Sequence, residues 1–342
     1  MSILSTIQQD RRQILFGLFG LLLFTSFTLN ILAGSVDINF FDIFRIVSQH
    51  ITDSTDGFII WKIRIPRSIA AVLGGAYLAT SGLLLQVFFR NPIVGPYILG
   101  ISSGATLMVS IVMLSTLSLG WAGISPYFSV IAAFGGAYLV MMIILVVAGK
   151  VKNNITLLII GLMMGYLCHA ITSILIAFAE SEKIKAFTLW QLGSFSGFSW
   201  SEVYLLIFAG GVLFAGVYLL SKPLNALLLG EDYASSMGVN IRLFRMLILL
   251  FSCALAGMVT AFAGPVAFVG LAVPHMARLL LGTSDNKLLI PGTALLGGIV
   301  TSLCDLMARQ LFAPVEVPLS AITAFFGAPV VISLLLKRRT SL

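Results

Sequence analysis

Charge is the scarcest commodity in this sequence. Only 10% of its 342 residues are Asp, Glu, Lys or Arg, against roughly 25% in a soluble domain. The mean hydropathy is +1.06 and 59% of the residues are hydrophobic. No water-soluble architecture hides that much apolar surface, so the chain must use lipid as its solvent. Cysteine is nearly absent. Cys168, Cys253 and Cys304 lie far apart in apolar segments, which argues against a disulfide framework or a metal site and for small buried hydrophobes. His50, His169 and His275 fall on separate segments, and no HExxH or nucleophile–base spacing is present. The phosphate-cradling GxxxxGK[ST] loop is missing too. Gly149-Lys150 is followed by Val151 and lacks the upstream glycine, so nothing in this chain is built to hold a nucleotide. A clear cleavage pattern is also lacking after the first apolar run, which therefore reads as a retained span. These absences describe a conduit rather than an enzyme.

What is present is a succession of apolar runs. At about 20 residues per crossing, the length allows about ten spans. They read as 14–33, 66–89, 97–117, 127–148, 155–179, 203–220, 246–263, a shorter run at 266–281, 288–312 and 319–336. The glycine- and aromatic-rich stretch 190–200 is too short to cross and predicts a short helix or re-entrant turn at the interface. Pro66 opens the second span, where a missing N–H costs nothing. No linker or repeat divides the chain, so residues 1–342 form a single transmembrane domain. Ten crossings put both termini on one side. With the termini inside, only Arg45, Lys62, Arg64, Arg67, Lys183, Lys185 and Arg309 of the 20 Lys and Arg fall outside. That bias predicts cytoplasmic termini.

Three signals stand out. Arg64 and Arg67 are three apart, on one helix face at the outer mouth of the second span, and Arg309 lies four after Asp305. Cations at outer ends run against the usual bias and predict a basic rim for carboxylates of an outside partner; the structural alternative is snorkelling, with an Asp305–Arg309 pair. The inner stretch PLNALLLGEDYASSMG, 223–238, carries an apolar patch, a break at Gly230, then Glu231 and Asp232 on a short helix ending at Gly238. It suits a groove on a cytosolic partner. Glycines at 74, 75, 82, 100, 104, 161 and 165 have the spacing of close helix packing, and Gly264-Pro265 and Val273-Pro274 break helices.

The ordered stretches RIPRSIAAVLGGAYLATSGLLLQ, RNPIVGPYILGISSGA, PLNALLLGEDYASSMGV, GPVAFVGLAVPHMARLL and ITAFFGAPVVISLLLKR resemble the FecCD family, the permeases of bacterial ABC importers for iron–siderophores, haem and cobalamin. The resemblance covers nearly the whole chain. It implies an all-α polytopic protein with the type II ABC importer permease fold, in the bacterial cell membrane. It implies a second permease subunit, homo- or heterodimeric, two cytosolic ATPases that bind ATP and Mg, and an extracytoplasmic binding protein. No cofactor or metal would belong to this chain. Position by position, Arg64, Arg67 and Arg309 match arginines that dock the binding protein. Leu224, Leu227, Leu228, Gly230, Glu231, Asp232 and Gly238 match the coupling helices on the ATPases. Asn91 and Ile93 match a cytoplasmic gate, and Asn153 and Asn154 fall where a second gate lies; asparagines stand there in place of the small hydroxyl residues of the cobalamin permeases. Met163, Met164, Thr172, Thr323 and Phe325 would line the pathway.

The resemblance makes an iron–siderophore importer permease the expectation, with haem or cobalamin as the alternative cargo. An ion-coupled secondary transporter is the alternative of a different class. It would need a carboxylate inside the membrane, and Asp305 is its one candidate.

Overall fold

The computed structural model describes residues 2–34, 36–97, 99–114, 126–151, 154–313 and 315–339. Among them the regular structure is helical throughout. The helices are α1 (Ser2–Leu32), α2 (Phe40–Gln49), α3 (Thr55–Phe89), α4 (Ile101–Leu114), α5 (Pro126–Lys150), α6 (Asn154–Ala177) and α7 (Ser181–Gln191). They continue with α8 (Trp200–Leu219), α9 (Ser221–Leu228), α10 (Glu231–Ser236), α11 (Ile241–Ala263), α12 (Val269–Leu281), α13 (Asn286–Gln310) and α14 (Leu319–Arg339). Seven are long and apolar enough to cross a membrane, and three shorter apolar helices, Ile101–Leu114, Val269–Leu281 and Leu319–Ser333, join them. Together they are the ten apolar segments read from the sequence.

The helix α3 is the hub. In its most apolar window 83% of residues are buried inside the chain, against 17% in α1 and in α6. It packs on α13, α11 and α12. Lipid is as apolar as the side chains, so close backbone approach must supply the packing energy. Glycine provides that approach. A Cβ on Gly75 would strike the carbonyl of Gly297, and one on Gly297 the carbonyl of Gly75. Gly82 meets the backbone of Gly270 in the same way, and Gly104 meets Gly136. Ser81 and Ser252 add a hydroxyl contact of 2.7 Å between α3 and α11.

Two local readings are sharpened. Pro66 stands in the first turn of the α-helical segment Ile65–Phe89, but that segment continues a helix that starts at Thr55. The turns before it are wound as a π-helix, Ile59–Arg64, and Ile65 bonds five residues back to Ile60. By that register Pro66 would owe a hydrogen bond to Trp61, and proline has no N–H to give. The indole of Trp200 supplies it instead, donating to the Trp61 carbonyl at 2.7 Å. Of the two forms expected for 190–200, a short helix or a turn, the stretch takes the turn. The polar residues after Ala179 form α7, which ends at Gln191, and 192–199 is a loop that turns at Gly193 with φ +74°. The amphipathic α2 buries Ile43 and Ile46 and exposes Phe40, Phe41 and Phe44, as befits a helix lying in an interface.

Candidate functional site

Polar side chains gather at the two ends of the α3–α13 pair and at one level between them. At the end where α3 begins, Arg64 donates to the carbonyls of Ile31 at 2.9 Å and Leu32 at 3.0 Å, and to that of Val36. It thereby caps α1, whose last carbonyls lack helical partners. Arg67 grips Asp305 with Nε and Nη2 at 3.0–3.2 Å and reaches Glu316 at 2.8 Å and 3.2 Å. Arg309 pairs with Asp305 at 3.4 Å, donates to the carbonyls of Ala33 and Asn30, and bonds the Asn30 side chain. The structure thus brings together all three predicted rim arginines, but it buries them, at 3%, 5% and 8% exposure. They knot α1, α3, α13 and the segment before α14. Arg45 and Lys62, by contrast, are exposed.

At the opposite end, Arg90 ends α3 in the left-handed region at φ 49° and donates to the Leu227 carbonyl at 3.1 Å. Asn91 closes a turn by accepting from the Ile93 N–H at 3.1 Å. This predicted gate loop therefore rests on α9. In α9, Leu224 and Leu227 are buried while Leu228 is exposed, and Leu229, Tyr233 and Met237 extend the apolar face beyond it. Gly230, at φ 126°, makes the corner between α9 and α10, and Gly238, at φ 86°, ends the excursion. Glu231 pairs with Arg245 at 2.6 Å and Asp232 points to solvent. Asn225 bolts α9 to the start of α13: it donates to Asp285 at 2.6 Å and accepts from the backbone and side chain of Asn286 at 2.8 Å. Asn153 lies outside the described residues, and Asn154 is the first residue of α6.

Between the ends, α12 is short. Its 13 residues span roughly 20 Å, less than the ~30 Å of a bilayer core. The non-helical segment 264–268 before it therefore lies at membrane depth. Irregular backbone survives there only when it packs against protein or lines a cavity. Here it does both. Tyr97, Pro265 and Ala267 join Ser102, Ser103, Thr106, His169, Thr172, Gln191 and Ser320 around a polar niche of about 140 Å³. The niche is stitched shut on one side: Ser320 donates to the Pro265 carbonyl at 2.6 Å, and the Ser194 N–H to that of Ala263 at 2.8 Å. A second, apolar cavity of about 310 Å³ lies between α12, α13 and α14, lined by Phe268, Met276, Met307, Thr323 and Phe326 among others.

The predicted pathway residues divide. Met163 on α6 and Phe325 on α14 face outward, at 52% and 73% exposure, while Met164 is half-buried. Thr172 and Thr323 are buried, one lining the polar niche and the other the apolar cavity. The sequence reading passed over Asn30, Gln86, Asn225 and Asn286. Each is a carboxamide in or beside an apolar run, and that placement alone demands a partner.

Comparison with known proteins places these features in a family. The sequence matches the FecCD transport family over residues 21–337. It is 37% identical over 280 residues to the vitamin B12 import system permease protein BtuC of Salmonella typhi, covering 81% of this chain and 83% of that protein. The corresponding protein of Salmonella paratyphi A is 36% identical over 278 residues, with the same coverage. Among solved structures, an inward-facing metal-chelate type ABC transporter superposes with a TM-score of 0.83 at 29% identity, over 95% of this chain and 99% of that one.

Proposed function

The chain belongs to the FecCD transport family, and from that premise we propose that it is the permease subunit of an ABC importer that moves a bulky metal chelate inward by alternating access. The observation that carries the mechanism is the α3–α13 pair. These two helices pack backbone to backbone at Gly75 and Gly297. Both are anchored in the arginine–carboxylate knot at one end, and at the other they hold the gate loop and α9. In this reading the partner ATPases bind ATP and Mg, and their closure moves α9 and α10 through the exposed face of Leu228, Leu229, Tyr233 and Met237. The displacement passes along a rigid pair, and the turn at Asn91 and Ile93 opens on the cytoplasmic side. The binding protein delivers at the arginine end, a second permease subunit faces α6 and α14, and both termini are cytoplasmic. This chain supplies no catalytic residue.

Two cargoes of the chelate class are proposed. One is an iron–siderophore complex, for which the hydroxyls, imidazole and carboxamide of the niche would offer weak, exchangeable contacts to the edge of a chelate passing it. Cobalamin is the reading that the names of the Salmonella relatives favour. Ion-coupled transport is disfavoured because Asp305 is held by Arg67 and Arg309, which leaves no free carboxylate to carry a proton. Vesicle uptake with the partner subunits decides the matter. Radiolabelled cobalamin and a radiolabelled ferric siderophore are offered with and without internal ATP. ATP-dependent accumulation of one chelate is expected; accumulation that ignores ATP and collapses with an ionophore would overturn the scheme.

A further inference from the structure

At the gate-loop end lies a cavity of about 310 Å³ whose lining includes Arg90, Asn91, Leu228, Arg278, Ser284 and Asn286. No carboxylate lines it. Among the described residues, no ion pair involves Arg90 or Arg278. Arg278 donates to Gln86 Oε1 at 2.7 Å and Arg90 to the Leu227 carbonyl at 3.1 Å. A guanidinium has five N–H donors, so most of the donors of both remain unclaimed by protein. The nearby Asp285 spends Oδ1 on Asn225 and on the Lys287 N–H.

A second observation points the same way. Asn286 is fully buried, and its side-chain oxygen has no hydrogen-bond partner. The amide cannot be turned round to cure this, because its nitrogen and the Asn286 backbone N–H both donate to Asn225 Oδ1. A buried acceptor without a donor is costly. The cavity therefore presents converging cationic donors for an oxyanion, and its lining includes the residue whose buried oxygen lacks a donor. Arginines converging from two elements match a tetrahedral phosphate, and basic pockets between spans on the cytoplasmic side suit lipid headgroups.

We propose that this cavity binds a phosphate group carrying or adjoining a hydroxyl, supplied either by an anionic phospholipid headgroup or by free hydrogen phosphate. Bound there, it would tie the turn after α3 to α12 and to the start of α13, beside Leu228 of α9, and so hold the gate loop and the coupling helix in one position. The site rests on this chain's own residues and stands whether or not the chelate reading holds.

The test uses the full chain purified in neutral detergent and phosphate-free buffer. Its unfolding midpoint is followed as phosphatidylglycerol, phosphatidylcholine, inorganic phosphate or acetate is added. Phosphatidylglycerol is expected to raise the midpoint and phosphatidylcholine to leave it unchanged. A matching rise with inorganic phosphate identifies the free anion as the source; a rise with lipid alone identifies the headgroup. R90Q and R278Q are each expected to weaken the apparent affinity about fivefold, since a cation near an anionic headgroup contributes about 1 kcal/mol. Arg90 is exposed, so R90Q is the variant that must fold if R278Q does not. No shift with any phosphate, an equal shift with acetate, or an unchanged affinity in R90Q overturns the proposal.

Discussion

Replacing Arg67 by alanine separates a structural arginine from a docking arginine. Arg67 makes two kinds of contact. Its bond to Asp305 is buried, with side-chain exposures of 6% and 1%. Its bond to Glu316 is half open, because Glu316 is 46% exposed. Removing one partner of a buried pair leaves an uncompensated charge and costs about 3–5 kcal/mol, whereas an exposed pair contributes about 0–1 kcal/mol. Arg309 remains 3.4 Å from Asp305 and offsets part of the loss, so R67A should sit near the lower limit, at ~3 kcal/mol. E316Q should cost less than ~1 kcal/mol. The R67A/D305A double variant should recover part of what the singles lose, with a coupling of about 1–3 kcal/mol.

The measurement is the folded fraction of the purified chain against increasing dodecyl sulfate, with binding-protein capture recorded on the same preparations. If R67A is as stable as the parent yet no longer captures the binding protein, the burial argument is wrong and Arg67 is free for docking. If stability falls as calculated, the frequent test of docking by charge reversal is uninformative here. An acid at position 67 would face Asp305 inside the protein, and loss of capture would only report misfolding.

Lys62 is exposed at the same end, so K62E is expected to weaken capture severalfold at low salt, with the dodecyl sulfate midpoint unmoved; rim charges act chiefly on association. Gly82→Ala should destabilise the fold by about 1–3 kcal/mol in the same titration, because the new methyl group meets the Gly270 backbone. Leu229, at 68% exposure, should accept aspartate with no change in helix content by circular dichroism and with loss of stable association with the ATPases. Cys168, Cys253 and Cys304 are all buried, so a polar maleimide should label the native chain poorly and label it fully once unfolded.

Glycine spacing and hydropathy were legible because they are local. The ten apolar runs, and the small-residue faces at Gly75, Gly82 and Gly104, are properties of consecutive residues, and the fold honours them. The roles of charged residues were not legible, because a charge's role depends on a partner distant in sequence. Charge counting located Arg64, Arg67 and Arg309 at one end of the bundle. It did not show that Arg67 would meet Asp305 and Glu316, 238 and 249 residues downstream. Nor did it show that Arg64 would cap a helix ending 32 residues upstream. The Asp305–Arg309 pair, four apart on one helix, was foreseeable for the same reason that the others were not. Pro66 does stand in the first α-helical turn, but what supplies the missing donor there was not legible for a related reason: it comes from Trp200, 139 residues away from Trp61.

The breaks in the spans obey a different logic. Gly264-Pro265 and the Asn-Pro after Arg90 both announce interruptions; the second lies at the end of the bundle, against α9, while a soluble protein would place the first at a surface too. Here helix length decides, since α12 cannot traverse the core alone. The backbone conformation then shows what keeps the breaks in place. Among the described residues, the non-glycine positions with positive φ are His50, Arg90 and Phe268, and the last two sit one at each break. A bulky side chain in that region costs on the order of 1 kcal/mol or more and persists only where packing over-determines it. Phe268 packs against Gly327, where a Cβ would touch its ring, and Arg90 is tied to α9. The two strained residues thus stand where α14 and α9 contact the breaks. On the proposed assignment of α14 to the second permease subunit and of α9 to the ATPases, a movement of either helix acts on the strained residue at its own break. On that geometry F268G should relax the break and shift the balance between outward and inward states, read as faster ATP turnover with less chelate moved per ATP. Unchanged coupling in a folded F268G variant would mean that the strain belongs to packing alone.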